Sequence, residues 1–73
     1  MNKITKEQAE KLYTNGDTIY VGENNLPEET LRKSLVPLQK SDHKHFSDVM
    51  TEWYFFNHWS NHTPHPVFFS NEH

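Results

Sequence analysis

Seventy-three residues without a cysteine leave room for one small domain, expected to span 1–73, and remove disulfides, thiolate metal sites and thiol nucleophiles together. The formal net charge is −3, and the basic residues are scattered apart from the Arg32–Lys33 pair, which argues against direct nucleic-acid binding. No apolar run approaches the roughly 20 residues of a membrane span, and no apolar stretch follows the first lysines, so no membrane partner and an intact cytoplasmic protein are expected.

Ile4-Thr5-Lys6-Glu7-Gln8 reads as a helix start. Thr5 can cap, Gln8 stands three residues on in the capping-box position, and Ile4 can pack on Ala9 as a staple. Ala9, Leu12 and Tyr13 form a short inward stripe, and Asn15-Gly16 closes the helix. Thr18-Ile19-Tyr20-Val21 is the best strand candidate, bounded by Gly16-Asp17 and Gly22.

Asn25-Leu26-Pro27-Glu28 can open a second helix, with Asn25 as cap, Pro27 in the first turn and Glu28 at the third helical position. A loop over 24–30 is nearly as good a reading. Leu31 and Leu35 share a face, and Pro37 stops the segment by disfavouring helical geometry at Val36. A third helix starts at Ser41 or Asp42, or at Ser47 in a shorter version. It carries Phe46, Val49, Met50 and Trp53 inward, with Phe56 alongside, and ends near Trp59 or Ser60.

Val67-Phe68-Phe69 reads as a terminal strand, its natural partner being Ile19–Val21. The expected fold is therefore α+β: two or three short helices packed on a minimal two-stranded sheet. An all-helical bundle with extended termini is the alternative.

The C-terminal half concentrates the chemistry. It holds eight of the ten aromatic residues and all six histidines, and the net negative charge lies there entirely. Residues one apart on a helix diverge by about 100°, so Tyr54, Phe55 and Trp59 point elsewhere than Trp53. They either pack under neighbouring elements or form a protein-binding stripe, with Glu52 as its acidic rim.

His58 and His62 stand four apart and His65 follows three later, a spacing that zinc could use with a carboxylate or water. The bland alternative has His58 and His62 bonding helix-terminal carbonyls, with His65 at the surface. No H-E-x-x-H occurs, no serine occupies a G-x-S-x-G elbow, and Gly16 and Gly22 flank a strand instead of forming a phosphate loop. Neither a cofactor nor catalysis is expected.

The layout I-T-K-E-Q-A-E-K-L-Y, G-D-T-I-Y-V, W-Y-F-F-N-H-W and P-V-F-F resembles small uncharacterised proteins encoded by bacteriophages and mobile elements. That resemblance implies a protein-interaction module, an inhibitor of a host enzyme or defence complex, with a host protein as partner. Two alternatives stand beside it: a self-associating structural or accessory protein acting as a homo-oligomer, and a small histidine-rich metal-binding protein.

Overall fold

The computed structural model describes residues 1–40, 45–58 and 65–71, and over 54–58 the backbone alone. In chain order the elements are β1 (Asn2–Ile4), α1 (Lys6–Thr14), β2 (Ile19–Glu23), α2 (Glu28–Lys33), β3 (Val36–Leu38), α3 (Phe46–His58) and β4 (Pro66–Ser70). The strands form one antiparallel sheet in the order β1-β4-β2-β3.

The expected strand pair is the centre of this sheet, with Val21 opposite Phe68 and Gly22 opposite Val67. The expectation of a minimal two-stranded sheet is overturned. β1 adds to the outer side of β4, placing Ile4 opposite Phe68, and β3 adds to β2, placing Leu38 opposite Ile19. Each added strand is three residues long, too short to display a period of two. Asn2, Lys3 and Pro37 are also poor strand formers, so pairing with the central strands, not local propensity, makes these segments extended. Proline is tolerated in β3 because that strand lies at the sheet edge.

The strand directions explain where the helices lie. β1 and β2 both run antiparallel to β4, so they are parallel to each other and α1 crosses over β4 between them. β3 and β4 are likewise parallel on either side of β2, with α3 as their crossover. Two split β-α-β units therefore interleave. They step in opposite directions across the sheet on oppositely directed strands, so a common handedness puts α1 and α3 on the same face.

That face holds the larger core. Ala9 and Tyr13 of α1 and Phe46 and Met50 of α3 pack on Ile4, Ile19, Val21 and Phe68 of the sheet. The Phe46 ring lies 5.8 Å from the rings of both Tyr13 and Phe68, edge-on to the first and tilted to the second. On the other face Leu31 of α2 meets Val67 and Phe69, with Tyr20, Leu26 and Leu35 around them. Successive β4 residues thus enter different clusters, as alternation along a strand requires. This is why Val67-Phe68-Phe69 is an unbroken apolar run: β4 is central and buried on both faces.

The helix ends follow local chemistry. Thr5 Oγ1 accepts from the Gln8 N–H at 3.1 Å, and the Thr5 N–H donates to Gln8 Oε1 at 2.8 Å, completing the capping box. Ile4 and Ala9 share the same core cluster, as the staple requires. After α1, Gly16 takes a positive φ of 96°, the left-handed conformation that reverses the chain at little steric cost. α2 starts later than expected. Pro27, not Asn25, is its cap residue, no side chain caps it, and the helix ends at Lys33 before Val36 turns extended ahead of Pro37. In α3 the His45 carbonyl accepts from the N–H groups of Asp48 and Val49, so Ser47 lies inside the first turn instead of capping it.

Candidate functional site

Of the predicted interaction stripe and its rim, only the rim residue Glu52 has a described side chain. Glu52 is exposed on α3, next to Trp53, which is half-buried against the larger core. Tyr54 and Phe55 belong to α3, but their side chains, like that of Phe56, lie outside the described residues, as does the whole of Trp59. Among the histidines, His58 is the last residue of α3, His62 lies outside the described residues, and His65 is exposed immediately before β4. The His65 carbonyl accepts from the Asn24 N–H at 3.1 Å, a backbone bond that closes the β2–β4 end of the sheet. No group of three histidine, aspartate or glutamate side chains able to hold a metal occurs among the described residues.

Trp53 is brought to a different set of neighbours from those the helix pattern alone suggests. It forms one wall of an open groove of about 320 Å³ at the end of the sheet where β2 exits. Val21, Gly22 and Glu23 of β2 supply the floor, Leu26 and Ser34 flank it from either end of α2, and Val36 stands at the edge on β3. Val36 is 48% exposed. The volume is near the lower limit of ligand pockets, enough for an anchoring side chain.

Gly22 shapes this end of the molecule. A Cβ there would stand 2.5 Å from Leu31 Cδ1 and 2.9 Å from Leu35 Cδ2, so a larger residue would push the ends of these leucines away from β2. Ser34 is held by its own helix end, its hydroxyl donating to the Leu31 carbonyl at 3.1 Å. Within the groove wall, among the described residues, Glu23 is the one ionisable side chain. It is half-buried and has no ion-pair partner among the described residues.

Sequence reasoning placed Trp53 and Glu52 on the right element but missed Gly22, Glu23, Leu26 and Val36 as parts of one site. Two signals were present. An isolated glycine inside a strand marks a close backbone approach, and a residue before proline is driven into extended geometry. Neither reveals that β2, β3 and α3 meet there, since that depends on strand order.

Comparison of the chain with protein-family models, with curated proteins and with solved structures found no match.

Proposed function

We propose that this chain is a small protein-binding module whose contact surface centres on the groove between Val36 and Trp53 and continues along the exposed side of α3. The observation that carries this reading is the pairing of an exposed valine with a half-buried tryptophan in one open apolar groove. Tryptophan is one of the residues enriched among energetic anchors at interfaces, and an acidic margin such as Glu52 suits rim steering. The resemblance of the layout to small phage-encoded proteins is the ground for proposing a host protein as partner.

A foreign partner is favoured over a second copy for an electrostatic reason. A two-fold dimer whose axis passes beside Glu23 would bring the two Glu23 carboxylates close to one another. Like charges so placed oppose association.

The test pairs mass in solution with comparative capture. The wild-type chain should be monomeric at low micromolar concentration and should retain a host protein that a Val36→Asp variant loses, while both melt alike. A wild-type dimer dispersed by Val36→Asp would transfer the groove to self-association. Equal retention by both proteins would remove the groove from the interface.

A further inference from the structure

We propose that Asn15 is a site of spontaneous deamidation, gated by opening of the last turn of α1. Asn15 is the one asparagine of the chain that precedes glycine, and Gly16 offers a backbone nitrogen with no neighbouring side chain to hinder its attack. Both residues are exposed, and a Cβ at Gly16 would meet nothing within 4 Å. The site lies before β2 enters the sheet, whereas the groove lies where β2 leaves it, so the two readings stand independently.

The fold holds the pair in a closed form. The Gly16 N–H donates to the Tyr13 carbonyl at 3.0 Å and the Asp17 N–H to the Leu12 carbonyl at 2.9 Å, the paired bonds of a Schellman motif. Asn15 has a ψ of −6°, which turns the Gly16 nitrogen toward the nitrogen of Asn15 itself and away from its Cβ. Its side-chain amide donates to Asp17 Oδ2 at 3.3 Å. Ring closure therefore requires both backbone bonds to break and Asn15 to leave the helical conformation. Helix ends are where such opening is least costly. Once open, the Gly16 nitrogen yields its proton to water and attacks Asn15 Cγ. A Cγ–N bond forms, the Cγ–Nδ2 bond breaks, and ammonia leaves with a proton returned from water. A water molecule then adds to either carbonyl of the cyclic imide, leaving aspartate, or isoaspartate with the chain routed through Cγ. Either product loosens α1. A donor facing Asp17 becomes a like charge, placed at the carbonyl end of the helix where negative charge is unfavourable.

The experiment incubates the full chain, folded and in urea, at mildly alkaline pH and follows each asparagine by peptide mapping and mass spectrometry. The mass gain of amide-to-acid exchange should reach the Asn15 peptide before any other. The folded chain should convert roughly thirtyfold slower than the unfolded one, the factor implied by opening two backbone hydrogen bonds. An Asn15→Gln chain should show no gain on that peptide, and the converted wild type, separated by charge, should melt below the fresh protein. No conversion of Asn15 in the folded chain over many unfolded half-lives, or an earlier gain at another asparagine, would overturn the site. Equal rates in the folded and unfolded chains would overturn the gate, and equal melting of fresh and converted protein would overturn the loosening of α1.

Discussion

The guanidinium of Arg32 stands 5.2 Å from the centre of the Phe69 ring, covering from α2 the most buried aromatic residue of β4. The same side chain donates to Glu28 Oε1 at 2.8 Å and reaches the Met1 carbonyl at 3.4 Å, so one residue joins α2, β4 and the start of the chain. Arg32 is half-exposed, which screens its ion pair and leaves the ring contact as the more valuable part. Arg32→Ala should therefore cost about 0.5–1 kcal/mol. Glu28→Gln should cost almost nothing, a contrast that urea titration of the two variants will measure. Equal losses would assign the stabilisation to the ion pair instead.

Phe46 and Trp53 both face the sheet from α3, but only Phe46 is enclosed, at 5% exposure and in contact with two aromatic rings. Phe46→Ala should cost about 3–5 kcal/mol, a large part of what so small a domain has. Trp53→Ala should cost distinctly less, because its side chain is only half-buried and lines the open groove. Denaturation midpoints of the two variants, taken under identical conditions, check the order. A larger loss at Trp53 would mean that the groove is closed in solution.

Enlarging Gly22 tests how tightly α2 and its flanking leucine sit on the sheet. Gly22→Val must displace Leu31 and Leu35, and overpacking of this kind costs about 1–3 kcal/mol. Truncating the obstructing side chain in the same molecule, as Leu31→Ala, should recover part of that loss. The two changes will then be non-additive in a double-mutant cycle. Strict additivity would show that the leucines are not what confines position 22.

The capping box of α1 should carry measurable stability because the helix is only nine residues long. Thr5→Ala removes the acceptor for the Gln8 N–H and should cost about 1 kcal/mol. Thr5→Ser keeps the hydroxyl and should retain most of it. Thermal melts of the pair against wild type decide whether the hydroxyl or the threonine methyl matters.

Local chemistry settled much of this protein from its sequence. Thr5 with Gln8 starts α1, Gly16 ends it, the 3–4 spacing of Phe46, Val49, Met50 and Trp53 makes α3, and Ile19–Val21 finds Val67–Phe69. Each of these rests on neighbours within a few residues or on strong β-formers in a clear run, so the information is written where it acts. β1 and β3 could not be seen that way. Asn2-Lys3-Ile4 and Val36-Pro37-Leu38 become strands only because β4 and β2 expose unpaired backbone edges to them. The same tertiary event built the groove. Trp53 and Val36 are remote in the chain, and the interleaved crossovers that order the strands β1-β4-β2-β3 bring them to one wall, with Glu23 at the shared end of β2 and β4. Sequence periodicity tells which face a residue takes on its own element; which elements then share a surface is decided by long-range pairing, and a 73-residue chain carries no local record of it.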